Sequence, residues 1–264
     1  MNTKLKPMIW ILVALFSAFS WISCDKESDE PLSLHQIENN LIKLYYGSSG
    51  GVTITGGDGN YSFSCESPLL KAEMTYPNYI LFEPLGVGDA TVTITDSSGD
   101  SYLLNVTIAY KTENIIVAKL DVTVVGDNMT VGNQKELKEK ALATIPVKAG
   151  GGYSFVYIGG EEKEETEGIV HIYADQFGTN GIEGTFERVI VKNTDENYSY
   201  TTYTLHYNNE NRTFIFMEYG EPTGESSQYQ ALQLAEDIKS QYQTVYPNVE
   251  QVYTSQIIGS MAIE

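Results

Sequence analysis

The sequence predicts a mainly β protein, built as a β-sandwich followed by an α+β domain with an antiparallel sheet and two helices. Three observations carry this. Between Leu41 and Ala109, short alternating apolar segments recur, separated by Gly, Asp, Asn and Ser turns, with no helical repeat among them. Beyond Lys111-Thr112-Glu113-Asn114 the texture changes to longer strands with helix-like stretches at Asn133–Ile145 and Ser226–Val245. Ahead of both, residues 1–23 have the make-up of a targeting segment and are set aside from the fold.

Lys4 and Lys6 open that segment, the apolar run Met8–Ile22 is broken only by Ser17 and Ser20, and no acidic residue precedes Asp25. The run is short for a bilayer span of about 20 residues and its distal flank is acidic, so it reads as a cleaved signal, not a membrane helix. Trp21-Ile22-Ser23-Cys24 resembles the lipobox of bacterial lipoproteins, with Trp21 where Leu is usual. The resemblance implies that Cys24 is the lipidation residue: its thiol is diacylated and the peptide bond before it is cut. More than one acyl chain is needed, because a single chain holds a protein to a membrane only marginally.

Residues 24–33 follow as an acidic tether, Asp25-Lys26-Glu27-Ser28-Asp29-Glu30-Pro31, too polar to bury. It looks like the tag that sends some Gram-negative lipoproteins to the outer face of the outer membrane; a plain flexible linker is the alternative. The expected location is the cell envelope, at the outer membrane and facing outside.

Without the signal the chain has 14 basic and 35 acidic residues, a net charge of −21. Such a surface repels phosphates and offers no basic stripe, which excludes nucleic acid as a partner. With Cys24 assigned to lipid, Cys65 stands alone, so stability has to come from hydrophobic cores and not from an intrachain disulfide. Cys65 shares a strand face with Tyr61 and Phe63 and is expected to be a buried, inert thiol. The 241 residues from Cys24 onward are ample for two domains.

In residues 34–110, seven strands are expected: Leu41–Tyr46, Gly51–Thr55, Tyr61–Cys65, Leu70–Met74, Tyr79–Glu83, Ala90–Thr95 and Tyr102–Ile108. Gly56-Gly57-Asp58-Gly59-Asn60 and Asp96-Ser97-Ser98-Gly99-Asp100 are turns. Gly-Gly-x-Gly-x-Tyr-Ser at 56–62, Ile80–Gly88, and Ala90–Asp96 with Gly99 together resemble the bacterial Ig-like repeats of secreted and surface proteins. The resemblance spans about 70 residues and implies a spacer or adhesive module with no catalytic residues to carry over.

In residues 111–264, a strand at Ile115–Val125 precedes a helix that opens on an Asn133/Glu136 capping box and ends before Pro146. Strands follow at Tyr153–Ile158, Ile169–Ala174, Thr185–Lys192, Tyr200–Tyr207 and Thr213–Tyr219, the last two joined by the loop Asn208–Arg212. Leu232, Ala235, Ile238, Tyr242 and Val245 form one stripe of the second helix, and a final strand runs near Val249–Ile258. Gly57-Asp58-Gly59-Asn60-Tyr61-Ser62-Phe63 and Gly150-Gly151-Gly152-Tyr153-Ser154-Phe155 echo one another too briefly to be a repeat.

Gly47-Ser48-Ser49-Gly50-Gly51 matches the spacing of a nucleophile elbow, but a strand follows where that motif needs a helix, so it reads as a polar turn. His35, His171 and His206 show no zinc-ligand spacing; His171 and His206 would make a site only if their strands were neighbours. Asp58, Asp96, Asp100, Asp195 and Glu196 lie in turns without the calcium-loop pattern, and turn chemistry accounts for them. Glu161–Glu167 reads as a solvated acidic loop. On the strand holding Tyr200, Tyr203 and Tyr207, alternation puts Tyr200 opposite the other two, so one set is core and the other an aromatic face.

No catalytic, metal or cofactor site is assigned. The expected function is that of a non-catalytic envelope lipoprotein in binding or assembly, attached to the membrane through Cys24, with a protein or glycan as ligand. A glycan-binding accessory lipoprotein would need an exposed Tyr platform, and a secreted hydrolase would need paired carboxylates or a Ser/His pair in a cleft. Recognition is expected in residues 111–264, the larger part, which holds the dense tyrosines.

Overall fold

The computed structural model describes residues 30–158, 166–193, 198–219 and 231–263. The lipidation residue Cys24, the acidic stretch 161–165, and Asp195 and Glu196 lie outside them. Two compact units form: one from residues 30–42, Gly50–Phe82 and Asp89–Val106, the other from Lys43–Ser49, Glu83–Gly88 and residues 107–263. The protein is mainly β with two helices, as the sequence predicts.

The first eight strands are β1 (Ser33–Leu34), β2 (Leu41–Tyr45), β3 (Gly50–Thr55), β4 (Tyr61–Cys65), β5 (Leu70–Tyr76), β6 (Tyr79–Pro84), β7 (Gly88–Asp96) and β8 (Ser101–Ala109). They make two four-stranded sheets of order β1-β3-β6-β5 and β2-β8-β7-β4, a β-sandwich. The seven expected strands are all present, and Ser33–Leu34, at the junction of the expected tether (24–33) and sandwich (34–110), adds an eighth by pairing with Thr55 and Ile54. Alternation is strict where both neighbours are strands: Val52 and Ile54, Ile80 and Phe82, Val92 and Ile94, and Leu104, Val106 and Ile108 point inward and are buried. Cys65 is half-buried, not enclosed as expected, because β4 is an edge strand whose inward row, Tyr61, Phe63 and Cys65, is only partly covered.

The remaining strands are β9 (Lys111–Gly126), β10 (Gly152–Tyr157), β11 (Glu167–Tyr173), β12 (Ile182–Asn193), β13 (Tyr198–Tyr207), β14 (Glu210–Tyr219), β15 (Ala231–Asp237) and β16 (Val249–Ile263), with helices α1 (Val131–Ala143) and α2 (Lys239–Tyr242). The antiparallel sheet closes into a barrel of order β10-β11-β12-β13-β14-β15-β16-β9. Its interior is filled by the inward rows of each strand: Tyr153, Phe155 and Tyr157 on β10, Val170 and Ile172 on β11, Phe186 on β12, Tyr203 and Leu205 on β13, Phe214 on β14 and Leu234 on β15. Eight strands enclose a space just wide enough for side chains to fill. The rings interlock, Phe155 against Phe186 at 5.0 Å and against Tyr203 at 4.8 Å. Gly168 makes room for them: a Cβ there would sit 1.9 Å from the Val156 carbonyl oxygen and 2.8 Å from the Phe186 ring.

A second core closes one end. Leu137 and Ala141 of α1 pack with Val122, Ile145, Ile238, Tyr246, Val249 and Val252. The helix begins three residues before the Asn133 cap expected from sequence: Thr130 is the N-cap, and its hydroxyl accepts from the Asn133 N–H at 3.2 Å. The second expected helix is corrected more heavily. Residues 231–237 of it are strand β15, hydrogen-bonded to β14 on one side and β16 on the other, and only Lys239–Tyr242 is helical. The stripe Leu232, Ala235, Ile238 fits a helix, but Leu234, Glu236 and Ile238 alternate inward equally well, and only the strand leaves β14 and β16 without open edges.

Candidate functional site

The β13–β14 connection sets the site. The expected five-residue loop is a two-residue hairpin turn, with Asn208 at φ 49° and Asn209 at φ 61°, the left-handed pair a tight hairpin needs. β14 therefore starts at Glu210, and Arg212 becomes a strand residue on the same face as the core residue Phe214. On β15, Glu236 follows the core residue Leu234 by two and shares its inward face. Arg212 and Glu236 meet there, with side-chain exposures of 12% and 10%.

The guanidinium is fully engaged. Nε donates to both Glu236 carboxylate oxygens at 3.0 and 3.1 Å, Nη2 donates to Oε2, and Nη1 donates to the Thr144 carbonyl at 2.7 Å. Thr144 is the C-cap of α1, so Arg212 satisfies a carbonyl the helix leaves unpaired and fastens α1 to the barrel. Burial works against the charge on Arg212, but Glu236 outweighs it and holds the guanidinium charged. Burial in turn pushes the Tyr207 phenol up.

Above this pair opens a cavity of about 490 Å³ lined by Thr144, Glu210, Asn211, Arg212, Glu236 and Gln241. Glu210, Asn211 and Gln241 are exposed and form its lip, and Asn211 Oδ1 is held 2.8 Å from His206 Nδ1. The lining is polar and contains no aromatic ring.

Two further polar clusters sit in the barrel. Tyr153, fully buried, donates to Gln256 Oε1 at 2.7 Å. Near the start of β9, the Tyr157 hydroxyl donates to Glu113 Oε2 at 2.5 Å, and the Tyr203 hydroxyl lies 3.4 Å from the same oxygen. Burial and the Glu113 charge push the Tyr203 phenol up to about 12, so it stays a neutral donor. The Arg188 guanidinium carbon lies over the Tyr157 ring, 5.9 Å from its centroid.

The residues singled out in the sequence fall elsewhere. Tyr203 is core, Tyr207 packs beside it, and Tyr200 is half-buried on the opposite face; nothing is described of the side chains of Tyr198 and Tyr219. His171 on β11 and His206 on β13 are separated by β12, where they face Glu183 and Thr185. Among the described residues no three His, Cys, Asp or Glu side chains are placed to hold a metal ion. Asp58 and Asp96 staple two turns: Asp58 accepts from Ser97 and from the Asn60 N–H, and Asp96 accepts from Ser98 Oγ at 2.7 Å and the Asp100 N–H at 2.9 Å. The Gly47–Gly51 segment is a turn leading into β3, with the Ser48 N–H bonded to the Tyr45 carbonyl at 3.0 Å. Sequence reading missed Arg212 and Glu236, and the signal that could have found them was a charged residue two positions from an apolar one in a period-two run.

No protein-family model matches the chain, and no curated protein matches it in sequence. Among solved structures, one similarity is to domains 5–6 of the S-layer protein SbsC, at 11% identity over 70% of this chain and 96% of that one, with a TM-score of 0.26. A superposition that loose carries no functional argument.

Proposed function

We propose that this chain is a lipid-anchored protein of the bacterial cell envelope, displayed outside the outer membrane, that acts in binding or assembly without catalysing a reaction. The observation that carries the reading is the N-terminal sequence: a basic start, the apolar run Met8–Ile22, Ser23-Cys24, and a solvated acidic tether leading directly into folded β-structure. The sandwich suits an Ig-like spacer. Its sheet orders β1-β3-β6-β5 and β2-β8-β7-β4 correspond to the A-B-E-D and G-F-C arrangement of immunoglobulin folds, with β2 added beside the last strand.

Recognition falls to the barrel, where the polar cavity is built. Its lining favours binding over chemistry: the Thr144 hydroxyl is spent on the Ala141 carbonyl at 2.8 Å, and both Glu236 oxygens are spent on Arg212. Of the strand tyrosines a glycan-binding protein would use, Tyr203 and Tyr207 pack into the core, which leaves Tyr200 on the outer face.

The anchor is tested by expressing Cys24→Ala in a Gram-negative host fed a clickable fatty acid. The parent chain should be labelled and the variant unlabelled and released from the membrane fraction. Labelling that persists in the variant would sink the reading. Protease shaving of intact cells, which should remove the parent chain, then reports which way it faces.

A further inference from the structure

We propose that the cavity over Arg212 and Glu236 binds an alkyl-ammonium or guanidinium group, as a polyamine or a basic side chain presents. This rests on the barrel cavity being the recognition site of a non-catalytic protein.

The argument is one of donors and acceptors. Of the six lining residues, Arg212 is the only cation, and each of its three guanidinium nitrogens already donates, to Glu236 or to Thr144. It has little left to offer a carboxylate, phosphate or sulfate. The lining acceptors not already spent within the protein are the Glu210 carboxylate and the Gln241 amide oxygen. Glu210 stands at the lip, exposed and without an ion-pair partner among the described residues, and Gln241 and Asn211 flank it with amide groups. A donor-only ligand suits such a lining: an ammonium has three donors and no acceptor, a guanidinium five.

Two further features favour a cation. The cavity lies at the C-terminal end of α1, a helix of 13 residues, where the partial negative charge of the helix dipole gathers. The chain as a whole carries a formal charge of −19, a field that draws cations in and turns anions away. The absence of an aromatic ring from the lining argues against sugar stacking or an apolar guest, both of which want a flat or greasy wall.

The test uses the full-length chain in a neutral detergent, labelled with ¹⁵N, and follows the side-chain amides of Asn211 and Gln241 by NMR. Spermidine and tri-lysine are the probes, and glutarate is the anionic control. Saturable shifts of both amides are expected with at least one basic probe and none with glutarate. A response to spermidine alone identifies a free amine as the source, and a response to tri-lysine alone identifies a basic side chain.

Glu210→Gln should weaken binding roughly three- to fivefold, the range for one exposed charge contact. Glu139→Gln, on the exposed face of α1, should leave it unchanged and controls for diffuse attraction to an acidic protein. The proposal is overturned if neither probe shifts the amides saturably, or if Glu139→Gln weakens binding as much as Glu210→Gln. Either failure leaves the fatty-acid labelling of Cys24 untouched, so the two readings fail separately.

Discussion

The sandwich and the barrel fill their interiors with different chemistry. The sandwich core is branched and aliphatic, with Val52, Ile54, Ile80, Val92, Ile94, Leu104, Val106 and Ile108 around Phe82. The barrel core is aromatic, with Tyr153, Phe155, Tyr157, Phe186, Tyr203 and Phe214. Two facing sheets lie only about 10 Å apart and interdigitate well with small branched side chains. A closed eight-stranded barrel has a wider lumen, which rings span. Half of those rings carry a hydroxyl, and every buried hydroxyl must find a partner, so the barrel holds Glu113 and Gln256, alongside the buried Arg212–Glu236 pair. Filling the larger space with tyrosine brings polar networks into the core, and the ion pair surfaces in the cavity.

That contrast can be broken most forcefully at the ion pair. Glu236→Ala leaves a guanidinium buried without its carboxylate, and the barrel should lose about 3–5 kcal/mol. Replacing both partners with apolar residues of similar size should cost far less. Urea titrations of the parent chain, the single and the double variant measure this; a single variant as stable as the double would mean the pair is solvated and not part of the interior.

Tyr153→Phe should cost less, about 1–3 kcal/mol, because it keeps the ring and removes only the hydrogen bond to Gln256 in a fully buried place. Denaturant midpoints that do not move would show that the Gln256 amide has another partner to turn to. The ionisation of Tyr153 is a separate check: burial holds its phenol far above the ordinary tyrosine range, so it should contribute nothing to an alkaline absorbance titration of the native chain.

The smallest effect belongs to the sandwich turns. Hydrogen bonds from Ser97 lower the Asp58 carboxyl and those from Ser98 lower Asp96. A carboxyl depressed in the folded state stabilises fully above its unfolded value, about 3.9 for Asp, and loses that contribution as pH falls through the lower folded value. Acid should therefore loosen this turn pair only below about pH 4, and Asp96→Asn should flatten the acid limb of a stability profile while leaving pH 7 behaviour of the barrel alone. Chemical shifts of the two carboxyl carbons that titrate at the ordinary value would contradict this.

The sandwich was the more legible region because its signals are local. Most strands from Leu41 to Ile108 are period-two runs closed by a turn that holds Gly, Asn or Asp, and several of those turn residues adopt the left-handed conformation the turns need, Gly56, Gly57, Gly59 and Gly99 among them. The barrel was legible strand by strand except at two places, and both hid the site. The Asn208–Arg212 stretch looked like loop because it is polar throughout, yet the turn needs only Asn208 and Asn209, which hands Arg212 back to the strand. Residues 231–237 fit helix and strand templates alike, and the choice was made by partners far away in the chain, Ile215–Tyr219 and Tyr253–Ile257. Closure of a barrel is a non-local fact. Arg212 and Glu236 are 24 residues apart in sequence and become neighbours only once β15 is placed beside β14.

Closure also decides where new backbone pairing can begin. Every barrel strand has a neighbour on both sides for part of its length, and the amides of those doubly paired stretches should exchange with solvent only when the barrel opens. The sandwich has rims: β1 and β5 border one sheet, β2 and β4 the other. Strand addition, whether in functional assembly or in aggregation, therefore finds whole border strands in the sandwich. β5 meets that exposure with a charge at Lys71 and another at Glu73, both turned to solvent on the rim, which an apolar incoming strand would have to desolvate.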